Sequence, residues 1–186
     1  MKNLALLLIL SLTACGTNTT PPRALTITEK TTLEEGIPYM IGEINRTNLL
    51  TYEHSQWFQK EYDFFKINPS WVAEMKPLAD GLTYTLFLGT WCEDSQREVP
   101  GMLKILDALE VPAKDLTLYA MDEDKKTPQR FEEGLDIINI PTLIFYKDGK
   151  EMNRIVEFPV ESLYQDMAKI LKSEAYQHAY FDVANP

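Results

Sequence analysis

Between Leu82 and Lys172 the chain changes its hydrophobic period repeatedly, and the order of those changes leaves few ways to fold it. Thr83 to Leu88 mixes β-branched, aromatic and aliphatic residues, the composition of a buried strand. Glu93 to Leu109 reads as a helix with Pro100 inside it, and Leu116 to Met121 as a second strand. Thr127 to Gly134 reads as a short helix, with Pro128 at its start and Gly134 at its end. Thr142 to Tyr146 and Met152 to Phe158 are strands joined by Lys147-Asp148-Gly149-Lys150, and Asp-Gly between apolar runs is a strong hairpin signal. Glu161 to Lys172 closes as a helix whose Leu163, Met167, Ile170 and Leu171 share one face. Strands linked through a helix run parallel with a right-handed crossover, whereas a tight hairpin is antiparallel. The expected fold class is therefore α/β, a mixed central sheet of about four strands flanked by helices.

The front half is less regular. Ala24 to Gly36 is polar and carries no periodic signal, and Tyr39 to Leu50 reads as extended. Glu53 to Phe65 suits an amphipathic helix with Trp57, Phe58, Glu61, Tyr62 and Phe65 near one face. That aromatic stripe serves either core packing or a ligand groove. Asn68-Pro69-Ser70 restarts the chain, with Ser70 as the expected N-cap of a helix through Trp71 to Met75. The expected divisions are a leader over 1–14, a tether over 15–36, a partly helical extension over 37–80, the main domain over 81–175 and a tail over 176–186.

Composition excludes several function classes. Acidic residues outnumber basic ones 28 to 18, so a phosphate backbone would be repelled and nucleic acid is not an expected partner. No spacing among the two cysteines and two histidines resembles a zinc site, and no metal or cofactor is expected. A Gly-rich phosphate loop and a Gly-x-Ser-x-Gly elbow are both missing. What remains as a candidate for chemistry is Cys92.

Met1 to Ala14 has the form of a secretory leader: Lys2 supplies a positive end and Leu4 to Leu12 an apolar run interrupted by Ser11. The run is too short for a membrane-spanning helix, which needs roughly 20 apolar residues. Leu12-Thr13-Ala14-Cys15 resembles the lipobox of bacterial lipoproteins. That resemblance implies cleavage before Cys15, diacylglycerol on its sulfur and acylation of the new amino terminus, and two or more chains hold a protein stably on a membrane. It implies the bacterial cell envelope and, in a Gram-negative cell with Gly16 in place of Asp, the periplasmic face of the outer membrane. The alternatives are a chance cysteine after an ordinary leader or a buried helix, and an unmodified Cys15 in disulfide with Cys92, which acylation would exclude. Gly16 to Arg23, Thr-rich and closed by Pro21-Pro22, reads as an extended tether.

The order of elements from Leu82 to Lys172, with a cysteine just after the first strand, resembles thioredoxin. Trp91-Cys92-Glu93-Asp94-Ser95 is similar to the family's Trp-Cys-x-x-Cys, with serine for the second cysteine as in a lipoprotein subgroup. Pro100 falls where the family kinks its active-site helix, Met121-Asp122 resembles the end of the second core strand, and Ile140-Pro141-Thr142 resembles the cis-proline segment. The resemblance implies a thioredoxin-like fold, a nucleophilic role for Cys92 shielded by Trp91, and Ile140, Pro141 and Thr142 as the segment that binds an extended substrate. Leu86 departs from the family, which buries an aspartate six residues before the first cysteine to aid proton transfer from the second. The resolving thiol and its proton acceptor are lost together.

A thiolate is the attacking species in disulfide exchange. At the start of the Glu93 helix, unpaired N–H groups and the helix dipole favour a negative sulfur, and Ser95 is expected to donate its hydroxyl to it. Glu93 and Asp94 either oppose that charge or serve only as acids suited to a first helical turn. With one thiol, exchange stops at a mixed disulfide until a second thiol releases it. Two readings stay open. One is a monothiol thiol–disulfide oxidoreductase acting on envelope protein thiols or disulfides, or on a low-molecular-weight thiol. The other is a redox-silent thioredoxin-fold binding or chaperone-like module.

Overall fold

The computed structural model describes residues 27–32 and 35–184. The leader, Cys15 and most of the tether lie outside the described residues. Among the described residues no helix is long and apolar enough to cross a membrane.

The front half contributes strands β1 (Thr28–Thr31) and β2 (Pro38–Ile44) and helices α1 (Arg46–Thr51), α2 (Gln56–Phe64) and α3 (Pro69–Ala79). The second half runs β3 (Leu82–Leu88), α4 (Glu93–Ala108), β4 (Leu116–Ala120), β5 (Thr142–Lys147), β6 (Lys150–Val156) and α5 (Leu163–Leu171), with a last turn, α6 (Phe181–Ala184). The six strands lie in the order β1-β2-β4-β3-β5-β6. β3 and β4 are parallel, and every other neighbouring pair is antiparallel.

The expected α/β class and mixed sheet hold, and the four strands legible in the sequence form one side of a wider sheet, to which β2 and β1 add beyond β4. β1 and β2 depart from expectation for different reasons. β1 is four polar residues on an edge, exposed from Thr28 to Lys30, without an alternating pattern to find. The extended segment expected to reach Leu50 stops at Ile44. Asn45 and Asn48 exchange side-chain and backbone hydrogen bonds there in a capping box that starts α1. The N-cap of α3 is Asn68, not Ser70: its side chain accepts from the backbone N–H of Ser70 and Trp71, and Pro69 occupies the first helical position. Residues 127–134 are a chain of turns rather than the helix expected from Pro128 and Gly134. Arg130 has φ +60°, and Glu132 turns inward to accept from the Thr127 N–H and hydroxyl. A left-handed residue in mid-segment ends any helical ladder.

Alternation along β3 sends its side chains to two apolar clusters. Leu82, Tyr84, Leu86 and Leu88 join the larger one with the inner faces of α2, α4 and α5. Phe87 faces the smaller one, built with Met121, Ile140 and Ile144 and covered by Trp91, Phe131 and Leu135. The aromatic residues Trp57, Phe58, Tyr62 and Phe65 of the α2 region all pack on the larger cluster, so the stripe is core. α4 approaches closely because Gly101 has no Cβ; one placed there would stand 2.8 Å from the Phe65 ring. Leu163, Met167, Ile170 and Leu171 form the buried face of α5, as their spacing predicts.

Asp166, on α5, is fully buried and holds the turn before that helix. Its carboxylate accepts from the backbone N–H of Val160 (2.6 Å) and Glu161 (3.2 Å) and from the Tyr176 hydroxyl (2.9 Å). Burial and this acidic neighbour push the Tyr176 phenol well above its ordinary range, so it stays a donor. Asp166→Ala is expected to destabilise the fold by about 3 kcal/mol, because the Val160 and Glu161 N–H groups and the Tyr176 hydroxyl lose a fully buried acceptor. Urea unfolding checks it; a loss below about 1 kcal/mol would mean that water satisfies those groups.

Candidate active site

β3 ends at Leu88 and the chain turns through Gly89, Thr90 and Trp91 into Cys92, the N-cap residue of the 16-residue helix α4. The Cys92 N–H donates to the Gly89 carbonyl (3.1 Å), and the Cys92 carbonyl accepts from Gln96 N–H (2.9 Å). The turn is pinned from outside. Thr90 is buried and its Oγ1 accepts from the Met40 N–H of β2 (3.1 Å), while the Gln96 amide donates to the Thr90 carbonyl (3.0 Å). The Trp91 indole N–H donates to the Met121 carbonyl (2.9 Å), and its ring lies 6.2 Å from that of Tyr39. Strand β2, from the front extension, thus buttresses the thiol-bearing turn.

Gly89 is where the turn and the cis-proline segment meet. A Cβ there would stand 2.9 Å from Ile140 Cδ1 and 3.0 Å from both Cys92 Cβ and Trp91 Cε2, closer than side-chain carbons pack. The absence of that carbon lets the two segments touch. The Ile140–Pro141 bond is cis, as expected. Cys92, half-buried and a free thiol, has its Sγ 3.7 Å from the Ile140 carbonyl oxygen. Thr142 is buried and its hydroxyl donates to the Asn139 carbonyl (2.6 Å). The Pro141 carbonyl accepts from Glu157 N–H (2.6 Å). The structure therefore gathers Trp91, Cys92, Ile140 and Pro141 at one end of the sheet, with Thr142 just behind them.

Ser95 occupies a different place from the one expected. It is fully buried, and its Oγ accepts from the Gly89 N–H (3.1 Å) rather than donating to the sulfur. Among the described residues the sulfur's hydrogen-bonding neighbour is the Ile140 carbonyl. Ser95 fastens the end of β3 to α4, so it acts on Cys92 only by holding the turn. Leu86 is fully buried in the larger cluster, opposite Leu118 and Leu143 on its two neighbouring strands, with no carboxylate at its position.

The charges around the turn are partly paired. Asp94 accepts from Arg97 (2.6 Å), which also donates to Glu98 (2.8 Å), whereas Glu93 is exposed. On the Trp91 side Lys30 bridges to Asp122 (3.0 Å), and that hydrogen bond raises the lysine above its ordinary value. Burial likewise raises the Tyr39 hydroxyl. Sequence reasoning missed Gly89, Thr90, Asn139 and Glu157. Their roles are contacts across distant segments, and no local pattern signals them.

The whole arrangement is a thiol at a helix N-terminus against a cis-proline segment. A family model described as thioredoxin matches residues 46–172. The match begins well before Leu82, where the sequence pattern becomes regular, and takes in α1, α2 and α3. Thioredoxin of Chlamydia trachomatis is 34% identical over 79 residues, spanning 42% of this chain and 72% of that protein. Thioredoxin of Staphylococcus saprophyticus is 30% identical over 95 residues, spanning 50% of this chain and 86% of that one. Among solved structures, mitochondrial thioredoxin 3 of Saccharomyces cerevisiae aligns over 60% of this chain and 97% of its own, at 18% identity and a TM-score of 0.35. With a matched region that covers more than half of its length, the chain belongs to the thioredoxin family.

Proposed function

We propose that this protein is a monothiol thiol–disulfide oxidoreductase that works through Cys92, held at a bacterial cell envelope by lipid on Cys15. Thioredoxin-like proteins act in general on protein thiols or disulfides, and envelope proteins or a small thiol are the partners proposed here. The observation that carries the reading is the half-exposed Cys92 sulfur, free, at the start of a long helix and 3.7 Å from the carbonyl that precedes Pro141. A thiolate there is favoured by the unpaired N–H groups of the first turn. An extended substrate would lie along Ile140, with Trp91 closing the opposite side.

The steps follow from having one sulfur. The Cys92 thiolate attacks one sulfur of a substrate disulfide; the S–S bond breaks, a Cys92–substrate disulfide forms, and the other sulfur leaves as a thiolate that takes up a proton. Ser95 has a hydroxyl, which cannot displace the bound sulfur. A second thiolate must therefore attack the mixed disulfide and return Cys92 to its starting form. If that thiol belongs to the same substrate, the result is isomerisation with no net redox change. If it belongs to a small thiol, attack at the Cys92 sulfur releases the substrate's second thiol and leaves a Cys92–small-thiol disulfide; a second small thiol then frees Cys92, so the substrate is reduced and the two small thiols leave joined as a disulfide. The buried Leu86 fits this scheme, since no second cysteine needs a proton acceptor.

Two variants test the reading. Cys92→Ser is expected to abolish reducible adducts formed with envelope proteins in acid-trapped cells, resolved on non-reducing gels. Ser95→Cys is expected to shorten the life of such adducts, because a thiol one helical turn on would release the substrate and leave an internal disulfide between Cys92 and the introduced thiol. Adducts unchanged by Cys92→Ser, or none from the unaltered chain together with slow alkylation of Cys92 near neutral pH, would leave the redox-silent binding module as the better reading.

A further inference from the structure

The segment after α5 doubles back toward the thiol. Tyr176 is fastened twice, its hydroxyl to Asp166 and its carbonyl to the Asn153 amide of β6 (2.9 Å). A turn follows in which His178 accepts the Tyr180 N–H on Nδ1 (3.2 Å) and the Phe181 N–H on its carbonyl (3.0 Å). That turn aims the Tyr180 side chain at the cis-proline segment. Its hydroxyl donates to the Glu157 carboxylate, its ring meets Phe158 edge-on at 6.0 Å, and the Asn139 amide donates both to the Tyr180 hydroxyl and to Glu157 (3.3 Å).

Two of these partners, Asn139 and Glu157, border the site. Asn139 immediately precedes Ile140, whose carbonyl faces the sulfur. Glu157, at φ +64°, is the residue whose N–H holds the Pro141 carbonyl. Asp94, two residues after Cys92, is close enough for its charge to act on the Tyr180 hydroxyl. The ring therefore lies against the two residues, Asn139 and Glu157, that flank and hold the cis-proline segment. We infer that the tail forms the second wall of the Cys92 groove, and that Tyr180 limits the size of the disulfide partner that reaches the sulfur. An extended or small disulfide passes along Ile140, whereas a bulky folded one must first displace Tyr180 from Glu157. The size limit rests on the oxidoreductase reading; the wall itself does not.

The test uses the full chain with Cys15→Ala, which leaves Cys92 as its one cysteine. Alkylation by N-ethylmaleimide is compared with alkylation by the same maleimide on a polyethylene glycol chain. Loss of a hydroxyl–carboxylate hydrogen bond shifts an open–closed balance about tenfold. Tyr180→Phe is thus expected to speed the bulky reagent by about that factor relative to the small one, with Tyr180→Ala at least as large. A chain ended after His178, which keeps the Tyr176–Asp166 bond, is expected to match Tyr180→Ala. An unchanged ratio in all three would overturn the wall, and so would a small-reagent rate that moves equally, since that reveals a general loosening instead. A second arm measures disulfide exchange with oxidised glutathione and with insulin. Exchange with insulin that rises selectively in the variants supports the size limit. No exchange with either probe in any form overturns the oxidoreductase reading and the size limit together, leaving the maleimide ratio to judge the wall.

Discussion

The site exists because β3 is paired on both sides. Parallel pairing to β4 aligns Leu86 with Leu118 and Leu88 with Ala120, and antiparallel pairing to β5 aligns Leu86 with Leu143 and Phe87 with Thr142. The first pairing requires a crossover helix, so α4 must start where β3 ends, and Cys92 stands at that start. The second brings the beginning of β5 to the same end of the sheet, which delivers Ile140 and Pro141. Side-chain alternation is fixed by the pleat, so a one-residue slip in either ladder would turn the Leu and Phe positions to the wrong faces and separate the two segments. Burial of Leu86, Leu88 and Leu143 therefore sets the distance between a sulfur and a carbonyl that none of them touches.

Much of this is legible in the residues. The period changes from Leu82 to Lys172 give the elements of the second half in the right order, because long periodic segments and an Asp-Gly turn are local signals. Trp91, Cys92, Ile140 and Pro141 are readable as a site by their resemblance to a family. The departures have a common cause in contacts between distant segments. Glu132 folding back on Thr127 overrides the Pro-and-Gly punctuation of a short helix. Ser95 sits one turn from Cys92 in sequence, but the backbone of Gly89 claims its oxygen. β1 is a strand because β2 pairs with it and because Lys30 and Glu29 reach Asp122 and Tyr52; its own four residues carry no strand signal.

Leu86 and Ser95 are physically consistent with one another. A carboxylate buried at position 86 would cost free energy without a partner, and a leucine there extends the largest apolar cluster instead. A serine at position 95 remains useful as an acceptor for a backbone N–H that would otherwise be buried without one. Both residues leave the interior satisfied, while the Cys92 thiol has a helix start and a carbonyl neighbour.

The outer strands have a consequence of their own. An open sheet presents unpaired backbone groups along its two borders, which invite a neighbouring copy to add on. Here β1 shows Glu29 and Lys30 on one border and β6 carries Lys150 and Glu151 on the other, where Tyr176 also lies alongside through Asn153. Any copy that stacked on either border would have to strip water from those charges. The fold thereby resists growing into ribbons, which matters most wherever many copies crowd together on one surface.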